Sequence, residues 1–243
     1  MDTRRADLLL VERGFFDSRA KAQAAIAAGL VHAGGEIVRK ASQALAADAA
    51  ITAHPAHPYV SRGGVKLRAA LDHFAIAATG CIAADIGSST GGFTQVLLLA
   101  GAEKVYAIDS GREQMHAALR GEPRLILHEA FDARRLERTV IAEPLDLIVS
   151  DVSFISLTLA LPAALALARP GGRLIALIKP QFEAGRREIG KGGIVRDEAV
   201  HARVCAHIAD WLTGLGWRVD GLMPSPVTGG DGNREFLIAA TAP

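Results

Sequence analysis

From Cys81 to its end the chain alternates apolar runs of strand length with stretches of helical pattern. The runs are Cys81–Asp85, Lys104–Asp109, Arg124–His128, Leu145–Asp151 and Arg173–Lys179, with helix-like segments near 92–100, 113–120, 134–142 and 157–168 between them. That rhythm predicts an α/β fold, a parallel, doubly wound sheet with helices on both faces. After a helix near 197–213, Trp217–Met223 and Glu235–Thr241 add two strands to the five, for a mostly parallel seven-stranded sheet. The connection Pro224–Arg234 has no helical pattern, so this last pair is predicted to be antiparallel.

Residues 1–53 have a different texture and read as a separate small α+β unit. Leu8, Leu9, Val11 and Glu12 fit a short helix that Gly14 ends, and Ser18 fits the N-cap of a second helix through Ala28, stopped by Gly29. Leu30–Ala33, the Gly34-Gly35 turn and Glu36–Val38 predict a tight hairpin, followed by a short strand near 50–53. His54-Pro55-Ala56-His57-Pro58 holds the chain extended, so residues 54–60 are taken as a linker and 61–243 as the large domain.

Half of the 243 residues are hydrophobic and 22% are charged, which supplies a core and excludes a disordered chain. With 27 basic and 26 acidic residues, no global field advertises nucleic acid, and any such surface must be a local patch. Cys81 and Cys205 form no C-x-x-C, which fits a reducing cytoplasm. The charged start (Asp2, Arg4, Arg5, Asp7) is unlike a secretory leader. The run Leu157–Ala168 contains Thr158 and Pro162 and is too short to span a bilayer, so no membrane partner is expected. His54, His57 and the pair His128-Glu129 lack companions for a coordination shell, so no metal is expected.

Ligands of open α/β sheets sit beyond the carboxyl ends of the strands. There the first strand runs into Asp85-Ile86-Gly87-Ser88-Ser89-Thr90-Gly91-Gly92-Phe93-Thr94. A pyrophosphate wants free amides and no nearby anion, whereas a carboxylate before the glycines suits a cationic ammonium and sulfonium. S-adenosylmethionine is such a ligand, with Asp85, Gly87, Ser89, Thr90, Gly91, Gly92, Phe93 and Thr94 as its predicted cradle. Asp109, 24 residues after Asp85 at the end of the second strand, can accept the ribose hydroxyls. Phe131 and Asp132 can stack on adenine and accept its amino hydrogens. Together these features predict a Rossmann-like class I S-adenosylmethionine methyltransferase core.

The chemistry of the acceptor is read from the fourth and fifth strands. Ser150-Asp151-Val152-Ser153-Phe154 lacks the paired prolines of nitrogen methyltransferases, and Lys179 stands in Ile178-Lys179-Pro180-Gln181-Phe182-Glu183. Pro180 keeps Lys179 extended and aimed at the ligand edge. A ribose hydroxyl must lose its proton as it attacks and gains from a nearby positive charge, which makes Lys179 the base or charge stabiliser for an oxygen nucleophile.

Ser61-Arg62-Gly63-Gly64, Asp85–Thr94, Ser150–Leu157, Lys179–Glu183, Lys191-Gly192-Gly193 and Gly232–Phe236 together resemble the TlyA family, over nearly the whole chain. The resemblance implies a ribosomal RNA 2′-O-methyltransferase with an FtsJ-like catalytic domain, in a family historically labelled haemolysins, acting on cytidine with S-adenosylmethionine and no metal. It implies a catalytic Lys66, Asp151, Lys179 and Glu235. Ser110 and Asp132 depart from the family pattern, where valine and asparagine are usual. Residues 1–53 resemble the RNA-binding module of a small-subunit ribosomal protein and of several pseudouridine synthases. That module has 7 basic and 6 acidic residues, so the case for RNA is positional: Arg13, Arg19, Lys21, Arg39 and Lys40 sharing a face. Arg62, Arg186 and Lys191 are the expected RNA contacts of the large domain, with Arg186, Arg187, Lys191 and Arg196 on a mobile arm. Arg134, Arg135 and Arg138 are assigned to a solvated helix face. The partners expected are ribosomal RNA and ribosomal subunits, not DNA. Two other readings remain open, a ribosome-assembly factor that binds the cofactor without turnover and a pore-former.

Overall fold

A computed structural model of the chain describes residues 2–229 and 232–243. Gly230 and Asp231, within the expected Pro224–Arg234 loop, lie outside the described residues, as does Met1. The chain divides into two compact units, Met1–Pro58 and Tyr59–Pro243.

In the first unit, β1 (Thr3–Arg5), α1 (Ala6–Glu12), α2 (Arg19–Ala27), β2 (Val31–Ala33), β3 (Glu36–Ile37), β4 (Ala44–Ala46) and β5 (Ile51–Ala53) follow in order. Ser18 caps α2, its side chain accepting from the Lys21 amide. Gly34 and Gly35 take φ of 59° and 85°, the left-handed pair that a two-residue hairpin turn requires. β2 pairs with β3 and with β5, and β1 pairs with β4, all antiparallel. The strands β1 and β4 were not expected; they are three residues each, too short for alternation to register. Leu9, Leu10, Phe16, Ile26, Val31 and Val38 form the core.

The second unit opens with α3 (Gly63–His73), which the strand–helix alternation did not reveal. It buries Lys66, Leu67, Ala70 and Leu71, one face at helical spacing. Then come β6 (Ile82–Ile86), α4 (Gly92–Leu99), β7 (Lys104–Ile108), β8 (Leu125–His128) and β9 (Leu145–Ser150). They are followed by α5 (Leu157–Ala160), α6 (Pro162–Leu165), β10 (Ala168–Ile178), α7 (Pro180–Glu183), α8 (Glu198–Gly214), β11 (Arg218–Pro224) and β12 (Phe236–Thr241).

The sheet order is β11-β12-β10-β9-β6-β7-β8. β10, β9, β6, β7 and β8 run parallel, and β12 is antiparallel to both β10 and β11, as the helix-free connection implied. Both faces are covered. On β9, Leu147 and Val149 face the side of α3 and α4, while Ile148 faces the opposite core with Ile208 and Leu212 of α8. This two-sided burial is why the strands read as continuous apolar runs.

Three expected helices are corrected. Near 113–120 there is no helix: the Glu129 carboxylate accepts the amides of Glu113, Gln114 and Met115, and Glu113 has φ of 54°. Over 134–142 only a single 3-10 turn, Ala133–Arg135, forms, begun by the Asp132 side chain on the Arg134 amide. The 157–168 helix is broken into α5 and α6 at Pro162, which has no amide to continue the first and takes the first position of the second.

Candidate active site

The carboxyl ends of β6, β7, β9 and β10 carry the candidate residues to one edge of the sheet. Two cavities open there. One, of about 430 Å³, is bounded by residues that include Gly87, Ser89, Asp109, Phe131, Asp132 and Phe154. The other, of about 260 Å³, is bounded by Ser61, Arg62, Lys66, Thr90, Phe93 and Lys179 among others. Gly87, Ser89, Asp151 and Ser153 belong to both walls, so the cavities meet at these four residues.

The larger cavity gathers part of the predicted cofactor set. Asp109 holds the loop beside it: Oδ2 accepts from the Ser89 amide and Oδ1 from the Gly111 amide, each at 2.7 Å. Each oxygen keeps a second lone pair for a hydroxyl. Asp132 is held by Arg134, with 2.6 Å between Nη2 and Oδ2, and this bond lowers the carboxyl to about 2. Arg134 stays exposed, as expected, but on a 3-10 turn at the edge of this cavity and not on a helix face.

Asp85, expected in the cofactor cradle, is fully buried and borders neither of these two cavities. Its Oδ2 accepts from Thr94 Oγ1 at 2.6 Å, fastening α4 to β6, while its Oδ1 is buried with no hydrogen-bond partner. Gly91 and Thr94 likewise line neither cavity, and Thr90, Gly92 and Phe93 border only the smaller one. Gly92 packs closely against the start of α3: a Cβ there would displace Ser61 Oγ and stand 3.1 Å from the Gly64 amide nitrogen.

Burial raises the Asp85 carboxyl from 3.8 to about 7, with Asp151 and Asp109 adding to the rise and Thr94 opposing it. Because the folded value lies above the unfolded one, the native state holds the extra proton between about pH 4 and pH 7. Stability should therefore fall as pH rises through that window and level off above it. Asp85→Asn should flatten the slope and raise stability at pH 8 by up to about 4 kcal/mol, read from urea unfolding at pH 4 and pH 8. An unchanged pH slope in the variant would remove Asp85 as its source.

The smaller cavity brings the four implied catalytic residues together. Lys66 and Lys179 are only 7% and 8% exposed, unusual for lysine. Lys66 Nζ lies 2.6 Å from Glu235 Oε2, and Lys179 Nζ lies 2.7 Å from Asp151 Oδ1. Asp151 Oδ1 is buried and has no aligned hydrogen-bond donor, so the second contact is an ion pair with lone-pair capacity to spare. Lys179 also donates to Ser153 Oγ at 2.7 Å and approaches the Asp151 carbonyl at 3.4 Å. Glu235 stands behind Lys66 and not on the wall.

Two residues with no assigned role in the sequence reading stand at the edge of this site. Phe154 is 90% exposed at φ of 67°, its ring 5.0 Å from that of Phe182 and on the wall of the larger cavity. A phenylalanine in the motif is visible in sequence, but its outward pose is not. Asn233 is fully buried, accepting from the Val195 amide and donating to the Gly193 carbonyl, while the His201 ring bonds the Val195 carbonyl. Asn233, two residues before Glu235, thus ties down Gly193 and Val195 at the end of the segment that carries Arg186 and Lys191. Arg186 and Lys191 are exposed, and their side chains have no partner among the described residues.

The predicted RNA contacts of the first unit are unequal. Arg13 donates to the Ala49 carbonyl, Arg19 to the buried Asp7, and Lys21 to Asp17. Arg39 and Lys40 are exposed and carry no side-chain bond among the described residues. Also among the described residues, no group of His, Cys, Asp or Glu is placed to hold a metal, and no helix is long and apolar enough to cross a membrane.

The sheet order, the glycine loop after its first central strand and the acid closing the next define the class I methyltransferase fold. The comparisons agree: residues 59–242 match the FtsJ-like methyltransferase family and residues 4–51 the S4 domain. The chain is 44% identical over 237 residues to YqxC of Bacillus subtilis, which carries an rRNA methyltransferase name, covering 96% of this chain and 84% of that one. It is 41% identical over 236 residues to the 16S/23S rRNA (cytidine-2′-O)-methyltransferase TlyA of Mycobacterium tuberculosis, covering 96% and 88%. A Streptococcus thermophilus structure bearing the hemolysin name superposes with a TM-score of 0.78 at 39% identity, covering all of this chain and 89% of that one. The chain belongs to the TlyA family of FtsJ-like methyltransferases.

Proposed function

We propose that the chain transfers the methyl group of S-adenosylmethionine to a cytidine ribose 2′-hydroxyl in ribosomal RNA. The observation that carries this reading is the meeting of Lys66 and Lys179, each paired with a carboxylate, on the wall of a cavity of about 260 Å³ that shares Asp151 and Ser153 with a larger one. The larger cavity fits the cofactor: it lies in the usual volume range of ligand sites, with Asp109 for a ribose and Phe131 for a base. When bound, S-adenosylmethionine supplies an electrophilic methyl on a sulfonium. The protein's part is positional and electrostatic. Lys179 places positive charge beside the attacking oxygen, the Asp151 carboxylate paired with it takes up the hydroxyl's proton, and Lys66, backed by Glu235, adds the second cation.

Arg39 and Lys40 of the S4 domain, with Arg62, Arg186 and Lys191, are the side chains we assign to phosphates. Arg13, Arg19 and Lys21 support RNA binding from within their existing bonds. A substrate in ribosomal subunits puts this work in the cytoplasm. The test is purified protein with tritiated S-adenosylmethionine and ribosomal subunits lacking the modification. Label in 2′-O-methylcytidine supports the proposal; binding without incorporation favours the assembly-factor reading, and leakage of liposomes the pore-former.

Phe154 offers an exposed aromatic face at the wall of the larger cavity, suited to stack on the target base. Stacking of this kind is worth about 1–3 kcal/mol. Phe154→Ala should therefore raise KM for RNA by about ten-fold or more, measured by methyl transfer. An unchanged KM would remove Phe154 from the substrate.

A further inference from the structure

We infer that Ser153 is a positioning residue for the methyl acceptor, holding the Lys179 ammonium through its oxygen and directing its own hydrogen to the ribose oxygen. This rests on the reading of the site as a ribose 2′-O-methyltransferase.

Ser153 Oγ lies 2.7 Å from Lys179 Nζ. An ammonium has three hydrogens and no lone pair, so the serine oxygen accepts and its own hydrogen is left over. Ser153 is exposed, and among the described residues no protein group takes that hydrogen, which leaves it to solvent or to a bound substrate. Ser153 also stands where it is needed, on the wall common to both cavities. Of the other three residues of that wall, Gly87 has no side chain and Asp151 carries a carboxylate already beside Lys179. Ser89 makes its contact through its amide, to Asp109. Ser153 is thus the hydroxyl at the junction that is already joined to a catalytic lysine.

Its neighbours fix its direction. A Cβ on Gly87 would approach Val152 to 3.0 Å, so the chain on one side is pressed against the glycine loop. On the other side Phe154 turns the backbone into the left-handed region and rests on Phe182. A hydroxyl oxygen attacks a methyl carbon with one lone pair in line. A donor on its other lone pair sets that direction, and near-attack geometry of this kind moves kcat without moving binding.

Ser153→Ala and Ser153→Thr test the idea in the full-length protein, with wild type beside them. Ser153→Ala should lower kcat about 10–30-fold with KM for ribosomal subunits and Kd for S-adenosylmethionine within about two-fold. Ser153→Thr keeps the hydroxyl and should recover kcat to within about three-fold, which loss of packing alone would not do. A wild-type kcat in Ser153→Ala overturns the inference, as does equal slowing in both variants. Wild type that places no methyl on a ribose hydroxyl overturns the underlying reading instead, and the two failures are told apart by that arm alone.

Discussion

Lys179→Ala is expected to reduce methyl transfer by about 10³-fold or more while S-adenosylmethionine still binds with nearly unchanged Kd. The separation follows from where the side chain lies. Lys179 borders the smaller cavity and not the larger one, so its removal leaves the cofactor walls intact. What is lost is the positive charge at the acceptor, and with it the partner that compensates Asp151 at 2.7 Å. Groups that move a proton or stabilise charge in the transition state typically contribute 10²–10⁴-fold, and this ammonium supplies the charge while holding Asp151, the proton acceptor. Lys179→Arg should be nearly as damaging. A planar guanidinium does not reproduce a point charge that reaches Asp151 Oδ1 and Ser153 Oγ together. Single-turnover transfer to ribosomal subunits and calorimetric titration of the cofactor read the two quantities separately. Residual activity within ten-fold of wild type would remove Lys179 from the chemistry.

How much of this was legible in the sequence depended on whether the signal was local. The strands from Ile82 to Ile178 were plain because a parallel strand covered on both faces is apolar throughout. The hairpin at Gly34-Gly35 was plain because few sequences tolerate two left-handed residues. Helix α3 escaped because Gly63 and Gly64 open it, and glycine argues against a helix on propensity; their close packing with α4 decides otherwise. The 113–120 segment misled in the other direction, since nothing local reveals that Glu129 will take three of its amides.

Within the site, Asp109 and Gly87 were read from position at strand and loop ends, and both reach the cavity. Asp85 was read by the same rule, and its bonding differs from that reading. Successive strand residues point to opposite faces, so a strand-end acid can equally lie beneath the loop, where Thr94 holds it. The lysine–acid partners were beyond any pattern. Lys66 and Glu235 are 169 positions apart, and only family resemblance named them before geometry joined them. Ser153 shows the limit most clearly: its residue type was visible, and its bond to a lysine 26 positions away was not.

Glu235→Ala should be the most damaging single change to stability in the catalytic group, at about 3–5 kcal/mol, because it leaves Lys66 buried without its counter-charge. The pair is nearly buried as well as close, with side chains 9% and 3% exposed at 2.6 Å. Lys66 lies on the buried face of α3 with Leu67, Ala70 and Leu71, so without the acid its ammonium has only the narrow opening to the acceptor cavity. Removing both charges is a different matter, because an apolar pair of similar volume has no desolvation penalty to offset. Lys66→Met combined with Glu235→Leu should therefore recover most of the loss in urea unfolding, and could equal wild type. It should not recover methyl transfer, because the second cation at the acceptor cavity is gone. The four corners of this double-mutant cycle separate folding from chemistry at one contact. A Glu235→Ala protein within about 1 kcal/mol of wild type would mean that water reaches Lys66, and the low-dielectric setting on which the second cation's influence depends would be lost with it.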